Sequence, residues 1–283
     1  MASIKTSIGR NIGVIDSGMG GLTVLTDLMI SLPAEKYYYF ADTKYAPYGQ
    51  QSRDSVEKRM MQIGEYMVQQ EVQLLVVACN TATSVAIDAL RKKLPIPVIG
   101  MEPAIKQAVS THGCKRVLVA ATPLTIQEKK LVQLIQRLQG ASEIIPMPCP
   151  GLVDIIERQG PAASAIEDVL KDLLKPFMDL TINCIVLGCT HYLLIKEQWK
   201  KAAGPATRLI DGNDGTVRQV KRVLGDMRSH SISMNSGTIF DQSGSRVMIY
   251  DSASNKENCK KLRHILDQQL QLRQGNRNHL LSI

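Results

Sequence analysis

Aromatic residues are scarce, 4% of 283 positions with a single tryptophan, Trp199. A core short of large rings is packed through Val, Ile, Leu and Ala, which suits strands and helices. Six cysteines in a chain of this length are too sparse for a disulfide scaffold. In a reducing compartment they are expected to stay unpaired. No C-x-x-C pair occurs, and no cluster of His and Cys completes a zinc set, so no metal site is predicted. No stretch approaches the roughly 20 apolar residues that span a bilayer. The opening residues, MASIKTSIGRN, lack the apolar core of a secretion signal. These absences predict a cytoplasmic protein with no membrane partner.

The charge is uneven. Net charge is +8, and from Ser254 onward six basic residues stand against two acidic ones, so half of the excess lies in the tail. A basic tail can bind nucleic acid, but it is more often a solvated helix face. No aromatics interleave with these charges, which weakens the nucleic-acid reading.

Residues 74–83, LLVVACNTAT, organise the rest of the chain. An apolar run ending in small polar residues reads as a buried parallel strand delivering side chains at its C-terminal end. Ligands of open α/β sheets bind outside that end. Residues 184–193, CIVLGCTHYL, repeat the design, so Cys79 and Cys189 hold matching places.

Other elements match at a similar offset. The strand NIGVI at 11–15 runs into Asp16-Ser17-Gly18, and RVLVAA at 116–121 runs into Thr122-Pro123. The glycine turn after Asp16 lacks the G-x-G-x-x-G spacing of a dinucleotide site. Asp16 has two readings, helix N-cap and site group, and one residue can serve as both. KYYYF at 36–40 leads to the turn-rich loop with Pro47, Tyr48 and Gly49; residues 143–147 lead to Pro148-Cys149-Pro150-Gly151. Strands at 97–101 and 207–210 complete the two series. Helices are predicted over 22–29, 53–70, 82–94, 104–111, 123–138 and 162–178. The methionine stripe Met60, Met67 belongs to the core.

The expected fold is therefore α/β: two similar βα lobes with parallel sheets, related by a pseudo-twofold, and a cleft between their strand ends. Residues 1–100 with 212–283 form the first lobe and 101–211 the second. The helix near 216–224 returns to the first lobe, a strand is predicted at 247–250, and a helix at 258–272. Residues 273–283 are expected to be disordered.

Two cysteines in equivalent places on facing lobes would approach one ligand from opposite sides. Moving a proton from one face of a carbon to the other needs such a pair: one thiolate removes it and one thiol returns it. A cysteine pKa near 8.5 can be tuned toward neutrality by its surroundings. Acid–base catalysis of this kind contributes about 10²–10⁴-fold. Asn80, Thr81 and Thr83 follow one thiol, Thr190 and His191 the other. With helix N-terminal amides they would hold carboxylates, and Asp16 could meet an ammonium. Cys114, Cys149, Cys184 and Cys259 read as inert packing. Taken alone, Glu157 would be a surface carboxylate.

Asp16-Ser17-Gly18, Pro47-Tyr48-Gly49, Ala78-Cys79-Asn80-Thr81-Ala82 and Gly188-Cys189-Thr190-His191-Tyr192 together resemble the motif set of the glutamate racemases. The likeness runs from about Gly13 to Asp226. It implies a cofactor-independent enzyme that interconverts L- and D-glutamate for peptidoglycan. It implies substrate contacts from Asp16, Ser17, Tyr48, Gly49, Asn80, Thr81, Thr122, Thr190 and His191. By the same resemblance Cys79 takes the proton from D-glutamate and Cys189 from L-glutamate, assisted by Asp16, Glu157 and His191. A homodimer and a peptidoglycan-precursor activator are further family expectations. Two departures stand out. Leu193 occupies a usual proline position, which relaxes Tyr192, and the tail beyond Ser229 matches poorly.

Rival readings are an aspartate racemase, a cysteine hydrolase with one nucleophilic thiol, and a nucleic-acid or DNA gyrase-binding regulator. In aspartate racemases an acidic residue tends to follow the second Cys-Thr; here His191 does. No feature of the sequence identifies gyrase inhibition.

Overall fold

The structure is a computed structural model that describes residues 10–230 and 246–280. The opening segment read for a secretion signal lies almost wholly outside them. Strand β1 (Asn11–Asp16) begins the chain's core and is followed by helix α1 (Leu22–Ser31) and β2 (Lys36–Ala41). Two 3-10 turns, Thr43–Tyr45 and Tyr48–Gln50, lead to α2 (Arg53–Gln69). Ser52 caps α2 by accepting from the Ser55 amide at 3.2 Å. Then come β3 (Leu74–Val77), α3 (Asn80–Lys93), β4 (Val98–Gly100) and α4 (Ile105–Ser110).

The pattern restarts with β5 (Arg116–Ala121), α5 (Pro123–Gln127), α6 (Lys129–Leu138), β6 (Glu143–Pro148), α7 (Leu152–Gln159) and α8 (Ala165–Leu174). It continues through β7 (Cys184–Leu187), α9 (Thr190–Leu194), α10 (Lys196–Ala203) and β8 (Arg208–Ile210). The chain ends in α11 (Asn213–His230), β9 (Val247–Asp251) and α12 (Lys256–Leu280).

All paired strands run parallel, in two sheets ordered β4-β3-β1-β2-β9 and β6-β5-β7-β8. Read from the other edge, the second is β8-β7-β5-β6, the same arrangement as β4-β3-β1-β2. The repeat inferred from strand ends is thus real in topology. Registers agree as well. β1 and β3 last pair at Ile15 and Val77, β5 and β7 at Ala120 and Leu187. Each of Cys79 and Cys189 lies two residues beyond. Strands β3 and β7 are buried along their whole length, as two-sided helix cover requires.

α11 does return to the first sheet's helices: Asn213 Nδ2 donates to Asp27 of α1 at 2.7 Å. β9 pairs with β2 as predicted.

Several boundaries differ from expectation. α3 starts at Asn80, two residues early, because Cys79 itself caps it. The helix predicted over 123–138 is two helices hinged at Glu128, whose extended backbone (ψ 131°) breaks the run. The helix predicted to residue 178 tightens into a 3-10 turn at Lys175–Phe177, where Pro176 cannot continue an α-helical ladder. Of residues 273–283, expected to be disordered, 273–280 are helical and 281–283 lie outside the described residues. Leu262, Ile265 and Leu266 bury one face of α12, and Arg273 pairs with Asp27 at 3.3 Å. A helix seeded by that packing runs through Leu270, Gln271, Leu272 and Arg273, good helix formers, and carries the weaker formers Gly275 and Asn276 with it.

The expectation of six unpaired cysteines is also corrected. Cys114 and Cys184 are joined as a disulfide, their Cα atoms 6.1 Å apart. Cys114 precedes β5 and Cys184 opens the adjacent β7, so sheet pairing brings them together. That spacing suits a bridge.

Candidate active site

Both cysteines end strands and begin helices. Cys79 caps α3, its Sγ accepting from the Ala82 amide at 3.5 Å. Cys189 occupies the same place before α9, and its Sγ lies 3.8 Å from His191 Nδ1. They are 7% and 6% exposed, so water reaches either thiol poorly.

One narrow cavity, about 60 Å³, is walled by both thiols together with Ser17, Tyr48, Gly49, Thr81, Thr122 and His191. Eight predicted residues from both lobes therefore converge. Four others stand one layer back. Asp16, wholly buried, accepts from Thr190 Oγ1 at 3.1 Å. Glu157 Oε1 meets His191 Nε2 at 2.5 Å and accepts from the Met19 amide at 2.8 Å. Asn80 is buried, with its Oδ1 unpartnered.

Asp16 is not the N-cap of α1. That position falls to Gly21, without a side-chain cap. Asp16 instead accepts from the Gly18 amide at 3.0 Å and fixes the turn that carries Ser17. The carboxyl of Glu157 is not a surface group either, since it braces the imidazole.

Burial, then the nearby Asp16 charge, pushes the Cys79 thiol up to about 12. Burial also raises the Asp16 carboxyl, against the pull of His191 and two backbone amides. For His191 burial works downward, but hydrogen bonds to Cys189 and Glu157 outweigh it and hold the ring's pKa well above its ordinary value. Burial would raise Glu157, and its bond and charge contact with His191 turn the balance below the ordinary value. The two sides are unlike: a neutral thiol faces a thiol served by an imidazolium. An imidazolium donates from both nitrogens, so His191 can bond Glu157 and Cys189 together.

Thr81, Thr122 and Thr125 form a triangle of hydroxyls, each pair 2.9 Å apart. It joins the first lobe to the second. Thr125 was missed in the sequence, although its place three residues after Thr122 is a capping spacing. Gln50 bonds Asp154 across the same cleft. Cys149, read as inert packing, lines the cavity. Burial raises its thiol to about 12 and it donates to the Met147 carbonyl at 3.5 Å, so it is packed against the site and not remote from it. Cys259 is half-buried on α12. Among the described residues, no His, Cys, Asp and Glu side chains are grouped to hold a metal ion. Nor is any described helix long and apolar enough to cross a membrane.

The sequence profile of the Asp/Glu/hydantoin racemase family matches residues 23–220. The glutamate racemase of Clostridium acetobutylicum is 42% identical over 229 residues, 81% of this chain and 89% of that one. The crystal structure of the Francisella tularensis glutamate racemase with D-glutamate matches with a TM-score of 0.75 at 31% identity, covering 94% of this chain and 95% of that one. The Escherichia coli glutamate racemase, solved with L-glutamate and the activator UDP-MurNAc-Ala, matches with a TM-score of 0.78 at 28% identity, covering 92% and 95%.

Proposed function

The chain belongs to the Asp/Glu/hydantoin racemase family, and from that premise we propose that it interconverts L- and D-glutamate with two thiols. The observation that carries the reading is the convergence of Cys79 and Cys189, from equivalent strand ends of the two lobes, on one cavity. In the direction from D-glutamate the reactive form is the one in which Cys79, a neutral thiol in the structure, has lost its proton; that thiolate takes the Cα proton and the Cys189 thiol returns one on the opposite face. The enzyme is left with its two protonation states exchanged, ready for L-glutamate. Each transfer is assigned to a side chain, and no cofactor is invoked.

The carbon acid is weak, so positioning and preorganised charge must do most of the work. Ser17, Thr81, Thr122 and the Tyr48-Gly49 turn are assigned to the substrate's carboxylates and ammonium. Asp16, Asn80 and Thr190 support them from behind. Glu157 fixes the plane of His191 and favours its charged form, which serves Cys189. Residues 1–100 with 212–283, and 101–211, are assigned as the units that open and close around the substrate. The same proposal gives the product to peptidoglycan synthesis in the cytoplasm, the active form as a homodimer, and a peptidoglycan precursor as activator, as in the Escherichia coli relative.

The test is circular dichroism of D-glutamate mixed with purified, metal-stripped protein and no pyridoxal phosphate. The signal is expected to decay to zero, and D-aspartate to give a flat trace. A flat trace with D-glutamate, from folded protein with Cys79 and Cys189 as free thiols and the precursor supplied, would refute the reading.

A further inference from the structure

Residues 42–52 form the lip of the first lobe over the cavity, with Tyr48 and Gly49 on its inner side. Two 3-10 turns make little internal hydrogen bonding, so the shape of this lip is set from outside. Gly49 has no slack. A Cβ there would lie 2.7 Å from Thr122 Cβ, so a shift of a few tenths of an ångström changes the wall.

Asp42 stands at the root of the lip with its side chain wholly buried. Its amide donates to the Asp16 carbonyl at 3.0 Å, tying it to the site. Its carboxylate accepts from Arg59 Nε at 2.8 Å and Nη2 at 2.7 Å, one bond to each oxygen. The Tyr48 hydroxyl donates to the same carboxylate at 2.5 Å. Burial, reinforced by the Asp42 charge, holds the Tyr48 phenol protonated far above its ordinary range, so that donor is permanent. Arg59 rises from α2, and its guanidinium carbon lies 4.6 Å from the centre of the Tyr45 ring. One arginine thus gathers the root of the lip, its first turn and, through Asp42, its second. Neither Asp42 nor Arg59 lines the cavity.

We propose that Asp42 and Arg59 are a positioning pair for substrate binding. The pair sets the Tyr48-Gly49 wall against Thr122, and Arg59 cancels a buried negative charge directly behind a wall that must receive a dicarboxylate. This inference rests on the glutamate reading of the cavity.

A purely structural role predicts something different. An unstable variant has fewer active molecules, which lowers apparent kcat and leaves KM alone. A displaced and negatively charged wall raises KM. Arg59→Gln, Arg59→Lys and the double variant Arg59→Gln/Asp42→Asn are therefore assayed with L- and D-glutamate, with thermal melting recorded for each. Arg59→Gln is expected to raise KM in both directions by about tenfold, the scale of one hydrogen bond to a charged group, with a smaller change in kcat. The double variant is expected to recover part of that loss, because no unpaired buried carboxylate remains. Arg59→Lys keeps the charge but not the two-pronged bond or the ring contact. It is expected to fall between wild type and Arg59→Gln, and it carries the test should the glutamine variant fail to fold. KM within twofold of wild type in folded variants, or a loss confined to apparent kcat, would overturn the positioning role. A wild-type enzyme inactive on both enantiomers would instead overturn the underlying reading.

Discussion

At the scale of single residues, the site works through unlike surroundings for like groups. Cys79 is a thiol raised by burial and by Asp16, whereas Cys189 has an imidazolium 3.8 Å away. The Glu157–His191 pair that makes this difference has a measurable signature in stability. His191 is raised in the folded state, so its contribution is fully present below the ordinary histidine value of 6.5 and is lost as pH rises through the folded one. Glu157 is lowered, so its contribution is fully present above the ordinary value of 4.5 and is lost as pH falls. The pair therefore stabilises most between those two values. The gap in melting temperature between wild type and Glu157→Gln is expected to be widest near pH 5.5. It should narrow steadily above pH 6.5, by at most about 1.4 kcal/mol per pH unit in free-energy terms. A gap that stays constant to pH 8.5 would show that Glu157 is not what holds the proton on His191.

At the scale of elements, strand ends and glycine turns decide the geometry. The turn between β1 and α1 packs directly on α9. A Cβ on Gly20 would lie 2.5 Å from Thr190 Oγ1 and 2.7 Å from the His191 amide. Gly20→Ala must push α9 outward and carry His191 and Cys189 with it. It is expected to lower kcat/KM about 10²-fold, the cost of an ångström-scale misplacement, while far-ultraviolet circular dichroism stays unchanged. Near wild-type kcat/KM in that variant would show that the turn gives way instead. These elements also show what the sequence reveals. Residues 74–79 and 184–189 were readable because an apolar run ending in a small residue and a cysteine is a local pattern, and its recurrence fixed the topology. Helix breaks at Glu128 and Pro176 were less visible, since tertiary packing chose where each helix stopped. The Cys114–Cys184 bridge and the Thr81–Thr122–Thr125 triangle join residues far apart in the chain. Only the Thr122–Thr125 side of the triangle has a local capping spacing; the bridge and the contacts to Thr81 have none. Asp42 and Arg59 look like an ordinary turn residue and an ordinary helix charge until the fold buries the first against the second.

At the scale of the molecule, two lobes of matching strand order each bring one thiol to a shared cavity. They touch through Thr190 and Asp16, Met19 and Glu157, Gln50 and Asp154, and the threonine triangle. The described state is thus a closed cleft, with one thiol presented to the cavity from each lobe, and on the proposed mechanism each serves one face of the bound carbon. That division of labour is the central claim, and the fate of the Cα hydrogen tests it most directly. Racemisation of L-glutamate is run in D₂O and stopped early, the enantiomers are separated, and Cα deuterium is measured in each. With two bases, the product receives its hydrogen from a solvent-exchanged thiol. D-glutamate is expected to carry deuterium at Cα in nearly every molecule, while unreacted L-glutamate still carries protium. Product that retains the original protium would mean that one group removes and returns the same proton, and would contradict the account.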